Sequence, residues 1–348
     1  MSVHSKVIEG PYLRDLLDQP GAIERTLRQL RADGKLRAIA GDFAAGRFQR
    51  IVLTAMGGSL HALHPFYLRL IATGHAPHAV ETSELIRYES NLLGEGTLVI
   101  AVSQSGRSAE LLAMLAQGAN GSTVLGVTNY ADSPLAERAD AALVMAAGEE
   151  STVSCKTYVA TLVTLTWLAG ELLGAQGNVR RELEAAAPAL ERYLQNWRAH
   201  VDEMGAHLQP MRQLFLVGRG ESLAAARAGG LTLKESAHVH AEGMSAAAFR
   251  HGPFEMISPE VFVFVFAGAE ATRELNRKLA HDVKHEGGRA EMIDFDSPPG
   301  PFCLPQAPES VRPILEVLPV QMASLALAAM KGREAGRFVR LTKVTTVE

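Results

Sequence analysis

The sequence predicts an α/β protein made of two doubly wound parallel-sheet domains, and three observations carry that prediction. Short continuous apolar runs, among them residues 50–56, 97–102 and 261–266, read as strands buried on both faces. Each runs into a glycine- or serine-rich turn and then into a segment of helical periodicity. The same succession also occurs twice. Residues 213–217 entering Gly218-Arg219-Gly220-Glu221-Ser222 echo residues 50–56 entering Gly57-Gly58-Ser59, and residues 261–266 entering Ala267-Gly268-Ala269-Glu270 echo residues 97–108. A repeat of roughly 160 residues is too long for a solenoid and indicates duplicated domains.

The elements follow in order. In the first 45 residues, apolar positions at helical spacing (Leu13, Leu16, Leu17, then Ile23, Leu27, Leu30) are interrupted at Pro20-Gly21, which predicts two helices with a break there. The strand at 50–56 meets Gly57-Gly58-Ser59, and a helix is expected from about Leu60. The strand at 97–102 meets Ser103-Gln104-Ser105-Gly106, with a helix from about Ser108. Strands at 124–127 and 142–145 complete the first sheet. Residues 180–207 read as a helical link, and strands at 213–217, 261–266 and 291–294 form the second sheet. The expected organisation is an N-terminal helical segment (1–45), a first domain (46–178), a linking helical segment (179–207), a second domain (208–336) and a C-terminal tail (337–348).

Composition narrows the class. At 348 residues the chain is about twice a typical domain. With 47% hydrophobic and 21% charged residues it can bury cores of ordinary size. A formal charge of −4 offers no basic field for nucleic acid. Two distant cysteines, Cys155 and Cys303, make neither a disulfide framework nor a zinc motif. His61, His64, His75 and His78 cluster in sequence, but their spacing suits surface or packing roles better than a metal. No leader-like apolar segment opens the chain, and no apolar run reaches the ~18 residues that span a bilayer. The expectation is a cytoplasmic protein that needs no metal or cofactor and engages neither membrane nor nucleic acid.

The chemistry is expected outside the carboxyl ends of the strands, where helix N-termini attract anions. Gly57-Gly58-Ser59 offers close backbone approach and a hydroxyl. Ser103-Gln104-Ser105-Gly106-Arg107-Ser108 offers three hydroxyls, an amide and a guanidinium on one turn, a density suited to phosphate. A Ser-rich turn also serves as a helix N-cap, but one cap uses fewer hydroxyls than stand here. Neither glycine loop has the nucleotide-binding spacing.

At these residues a resemblance becomes specific. Ser103-Gln104-Ser105-Gly106 after an apolar strand resembles the phosphosugar loop of the tandem SIS (sugar isomerase) domain family, whose domains have the flavodoxin-like fold. Glu149-Glu150-Ser151-Thr152-Val153-Ser154-Cys155-Lys156 resembles the family segment that opens a helix beside the sugar. Leu233-Lys234-Glu235, His240-Ala241-Glu242 and Phe249-Arg250-His251-Gly252-Pro253 resemble the family's Leu-Lys-Glu, His-Ala-Glu and His-Gly-Pro block. The tail Leu341-Thr342-Lys343-Val344-Thr345-Thr346-Val347-Glu348 is similar to that of the isomerase part of glucosamine-6-phosphate synthases. Together these cover the chain, in order, from about residue 45.

The resemblance implies a phosphorylated sugar as ligand and work on its C1 and C2 carbons. Glu235 would be the base that moves a proton between them, a task for a placed carboxylate. His251 would open the sugar ring, and in the family this histidine comes from the neighbouring subunit, which implies a homodimer. Lys343 would form or assist an imine, as a lysine beside a carbonyl can. Phosphate would be held by Ser59, Ser103, Gln104, Ser105 and Ser108 with the backbone at Gly58, the sugar by Thr152 and Ser154, and Arg219 would lie near it. Apolar Val339, Leu341, Val344 and Val347 lead one to expect a tail packed on its domain.

Three positions depart from the family pattern. Thr232 stands where the synthases have a lysine, Gly58 where they have a threonine, and Arg107 where they have an acidic residue. The chain also opens directly on this region, without the glutaminase domain of the synthases. The expected activity is therefore an isomerase/deaminase that turns glucosamine 6-phosphate into fructose 6-phosphate and ammonia. Two alternatives stay open: a deglycase or plain sugar-phosphate isomerase, and a non-catalytic phosphosugar-binding regulator.

Overall fold

The computed structural model describes residues 8–340 and 342–344. The elements run α1 (Pro11–Leu17), α2 (Gln19–Gln29), α3 (Gly34–Ala44), β1 (Arg50–Ala55), α4 (Gly57–Ala72), β2 (Pro77–Glu81), α5 (Thr82–Arg87), β3 (Thr97–Val102), α6 (Ala109–Ala116), β4 (Thr123–Thr128), α7 (Pro134–Arg138) and β5 (Ala141–Val144). Next come α8 (Lys156–Leu173), α9 (Gln176–Leu183), α10 (Ala186–Leu194) and α11 (Trp197–Leu208). The second half holds β6 (Gln213–Gly218), α12 (Leu223–Ala237), β7 (Ala241–Ser245), α13 (Ala246–Arg250), β8 (Val261–Phe266), α14 (Glu270–His285), β9 (Arg289–Ile293), α15 (Arg312–Leu315) and α16 (Val317–Met330).

Two parallel sheets result, one of order β2-β1-β3-β4-β5 and one of order β7-β6-β8-β9. This is the doubly wound α/β architecture expected, in its flavodoxin-like order. The described residues divide into two compact units, a first of residues 21–149, 156–184, 340 and 342–344, and a second of residues 8–20, 150–155 and 185–339. In this division residues 8–20 and 150–155 go with the second sheet.

In the first unit, Val52, Val99, Ala101 and Val124 from the strands pack with Leu85, Leu111, Met114 and Leu135 from the covering helices. In the second, Phe215, Val263 and Val265 pack with Phe249, Leu279 and Val283. Each fully buried aliphatic or aromatic side chain of this kind stabilises its unit by about 1.5–3 kcal/mol. The second unit also depends on two glycines. A Cβ at Gly243 in β7 would lie 2.0 Å from the Ala226 carbonyl oxygen in α12, and one at Gly230 in α12 would lie 2.7 Å from the Gly243 nitrogen. Bare backbone on both sides lets α12 lie directly on β7, and that contact sets the position of Glu235 near the end of α12.

Two expectations about the N-terminal region need correction. It forms three helices rather than two, and Pro20-Gly21 does not break them. Pro20 sits in the first turn of α2, where the missing N–H is no loss. The third helix is capped by Asp33, whose side chain accepts from the Leu36 N–H at 2.8 Å. The long apolar segment Glu309–Met330 has the length and hydropathy of a membrane span, but 89% of its most apolar 18-residue stretch is buried inside the protein.

Candidate active site

The first unit changes direction between β1 and β3, since β1 leads to β2 on one side and β3 to β4 on the other. The two loops singled out in the sequence leave the adjacent carboxyl ends of these strands. Gly57 (φ +52°), Gly58 and Ser59 open α4, which has no side-chain cap, so its first N–H groups face outward. A Cβ at Gly58 would meet nothing within 4 Å, so packing does not dictate the departure from threonine.

Residues 103–108 form a tight turn ahead of α6. The Ser103 N–H donates to the Val127 carbonyl at 3.0 Å and prolongs the β3–β4 ladder. The Ser103 hydroxyl accepts from the Gly106 N–H and the Ser105 hydroxyl from the Arg107 N–H, both at 3.1 Å. Neither hydroxyl donates to any described residue, so both O–H groups remain for an anion. The Gln104 carbonyl takes the Asn129 N–H at 3.1 Å, which leaves its side-chain amide uncommitted. Ser108 precedes α6 and accepts the Leu112 N–H at its carbonyl at 3.0 Å, but its hydroxyl makes no cap bond and is also unspent.

Gly106 makes this turn possible. Its φ is +63°, and a Cβ would sit 2.4 Å from the Ser133 hydroxyl oxygen. Arg107 is tied to its own loop and to residues 130–132. It donates to the Ser105 and Asp132 carbonyls, pairs with the Asp132 carboxylate at 3.1 Å and lies on the Tyr130 ring. Its charge is spent there rather than on a ligand.

In the second unit, the Arg219 Nε donates to the Asn276 Oδ1 at 3.1 Å, while the Asn276 Nδ2 donates to the Phe266 and Ala267 carbonyls at the end of β8. Asn276 thereby fixes Arg219 at the sheet's carboxyl edge. No sequence motif marks Asn276. At the position that echoes Ser59, Ser222 donates to the buried Glu316 at 2.7 Å. Burial raises the Glu316 carboxyl to about 8, against lowering by the Ser222 bond and by Arg312.

Thr152 and Ser154 are half-buried on a loop whose ends are closed by Glu150, a buried carboxylate that accepts the Cys155 N–H at 2.9 Å. Glu235 is half-buried in the last turn of α12, and Thr232, one turn earlier, is buried. Between loop and helix lies Tyr12, fully buried on α1. Its phenol is pushed well above its usual range by burial first, and then by Cys155, Glu150 and Glu235. The Ser324 hydroxyl gives its hydrogen to the Gln321 carbonyl at 2.7 Å, so Tyr12 must be the donor in their 3.1 Å bond. Residues of the 150–155 loop and Glu235 thus both act electrostatically on Tyr12.

His251 is exposed at the end of α13, ahead of Gly252 (φ +144°), and its side chain bonds to no described residue. Lys343 is half-buried in the first unit. The packed-tail expectation fails at Val339, which is 65% exposed, while Val344 is half-buried. Leu341 and Val347 lie outside the described residues. Among the described residues no cluster of His, Cys, Asp or Glu could hold a metal. Of the early histidines, His75 stacks on Phe43, His64 on Tyr67, and His78 pairs with Glu89.

The SIS domain profile matches residues 47–170 and 207–331. The glutamine–fructose-6-phosphate aminotransferase (isomerizing) of Pyrococcus horikoshii is 33% identical over 313 residues, which are 87% of this chain and 52% of that protein. The chain spans about half the length of such curated relatives. Among solved structures, the C-terminal domain of glucosamine-fructose-6-phosphate aminotransferase from Francisella tularensis aligns with a TM-score of 0.81 at 21% identity, covering 94% of this chain and 98% of that one. Glucosamine-6-phosphate deaminase from Thermotoga maritima aligns with a TM-score of 0.77 at 17% identity, covering 97% and 100%.

Proposed function

The chain belongs to the SIS domain family, and from that premise we propose that it is a phosphosugar isomerase/deaminase converting glucosamine 6-phosphate and water to fructose 6-phosphate and ammonia. The observation that carries the reading is the serine loop at the switch point of the first unit. Its hydroxyl oxygens are held by backbone N–H groups while their hydrogens point to no described partner, an arrangement suited to the dianion of a sugar phosphate. The relationship to an isomerizing aminotransferase supports chemistry at C1 and C2.

His251, carried in from a second subunit, delivers a proton to the ring oxygen as the C1–oxygen bond breaks and the C1 hydroxyl gives up its proton, which opens the sugar to its aldehyde. Glu235 takes the C2 proton and returns it to C1 while a proton passes from the C2 amine to the aldehyde oxygen, which leaves an imine at C2. The Lys343 amine adds to C2 as ammonia departs, and water then releases Lys343 and leaves the ketone. Ser59, Ser103, Gln104, Ser105 and Ser108 hold the phosphate, the Gly58 backbone lies against it, and Thr152, Ser154 and Arg219 hold the sugar.

Borohydride added during turnover tests the covalent step. The reading expects a stable sugar adduct on Lys343 by peptide mass spectrometry, absent from Lys343→Ala and from Glu235→Gln. Turnover with no adduct on Lys343 would remove the imine from the account. A second reading, a deglycase for a fructosamine-type phosphate, draws on Thr232, which places no ammonium one turn before Glu235. Ammonia from such a substrate but none from glucosamine 6-phosphate would select it.

A further inference from the structure

The second unit contains a cleft of about 660 Å³ that the proposed chemistry does not use. One wall is α1 with the residues before it, including Glu9, Leu13 and Arg14. The other is α16 and the strap that follows it, including Leu325, Arg333 and Glu334. A cleft of this size accommodates a phosphosugar-sized molecule. Leu13 and Leu325 are buried and give it an apolar floor.

Its rim carries two guanidinium groups and two carboxylates. Arg14 is exposed and forms no hydrogen bond or ion pair with any described residue. Arg333 is half-buried, and its one side-chain bond runs from Nη2 to the His238 Nε2 at 3.1 Å, so most of its donors remain. Two guanidinium groups lining one cleft suit a phosphate or carboxylate. Glu334 lies against Gly10, where φ is +117° and a Cβ would stand 2.5 Å from the Glu334 Oε1. With Glu9 it offers acceptors for an ammonium group.

The strap is fastened to the end of the helix that carries Glu235. Lys331 Nζ donates to the His238 carbonyl at 2.8 Å, and the Gly336 N–H donates to the Ser236 carbonyl at 3.0 Å. Together with the Arg333 bond these hold the Arg333 wall in a fixed place, as a preorganised site requires.

We propose that this cleft is a second ligand site, distinct from the serine loop, for a small zwitterion that presents a phosphate or carboxylate to Arg14 and Arg333 and an ammonium to Glu9 and Glu334. Amino-sugar phosphates and α-amino acids share that chemistry, and equilibrium dialysis with glucosamine 6-phosphate and with glutamate separates them. Wild type, Arg14→Ala and a Ser103→Ala/Ser105→Ala variant are compared.

If the amino-sugar phosphate is the ligand, wild type binds about two molecules of it per chain, and the double-serine variant keeps one that Arg14→Ala weakens at least about tenfold. If the amino acid is the ligand, glutamate binds wild type and the double-serine variant alike, and Arg14→Ala loses it. Binding of both ligands unchanged by Arg14→Ala overturns the proposal. Glucosamine 6-phosphate binding that Arg14→Ala weakens and the double-serine variant leaves at wild-type level would instead overturn the phosphate role of the serine loop and leave the cleft standing.

Discussion

At the scale of single residues, Gly106 and Glu316 make the most exposed commitments. Gly106 holds φ +63° beneath Ser133, so Gly106→Ala adds left-handed backbone strain to a steric overlap with the Ser133 side chain. A loss of about 2 kcal/mol or more is expected by urea unfolding, with weaker phosphosugar binding beyond that loss because the Ser103 and Ser105 hydroxyls move. An alanine variant of wild-type stability would contradict the loop geometry. Glu316 makes a pH prediction. Its carboxyl is raised from 4.5 to about 8 by burial, so between those values the folded chain keeps a proton that the unfolded chain has released. Stability is therefore highest below the unfolded value and falls as pH rises toward about 8, by at most about 1.4 kcal/mol per pH unit. Glu316→Gln can still accept from Ser222 and should flatten that fall in thermal unfolding between pH 5 and 8. An unchanged pH dependence would mean that Glu316 does not titrate there.

At the scale of elements, α12 depends on β7 through the bare backbones of Gly230 and Gly243. Gly243→Ala places a methyl 2.0 Å from the Ala226 carbonyl oxygen, which backbone movement alone can relieve. The expected cost is about 3 kcal/mol or more in chemical denaturation, together with a fall in kcat from a displaced Glu235. Which elements the sequence revealed follows from the same physics. Strands β1, β3 and β8 were legible because both of their faces are buried and they read as unbroken apolar runs. β2 was not, because it is an edge strand with only Pro77 and Val80 buried. β7 was not, because Ala241-Glu242-Gly243-Met244-Ser245 lacks β-branched residues and was chosen for close approach to α12. Of the candidate site, the serine loop was legible because hydroxyls crowd a strand-to-helix turn. Tyr12 and Asn276 were not, because each acts through a neighbour distant in sequence, Ser324 for one and Arg219 for the other.

At the scale of the whole molecule, duplication produced two sheets whose switch points no longer match. The first presents unspent hydroxyls, while in the second Ser222, at the position that echoes Ser59, is already bound by the chain's own Glu316. The exposed His251 fits a catalyst completed by a second copy, and subunit mixing tests this. Glu235→Gln and His251→Ala, each inactive alone, should recover about a quarter of wild-type activity when refolded together, since half of the dimers then carry one intact site. No recovery would place His251 and Glu235 of one chain in the same site, or His251 outside it. The measurement that bears most directly on the central claim is ammonia release from glucosamine 6-phosphate by wild type and by Glu235→Gln. The account predicts ammonia and fructose 6-phosphate in equal amounts from wild type and at least a thousandfold less from the variant, on the order expected when a general base is removed. Wild type that binds the sugar phosphate but releases no ammonia, or a Glu235→Gln variant as active as wild type, would contradict it.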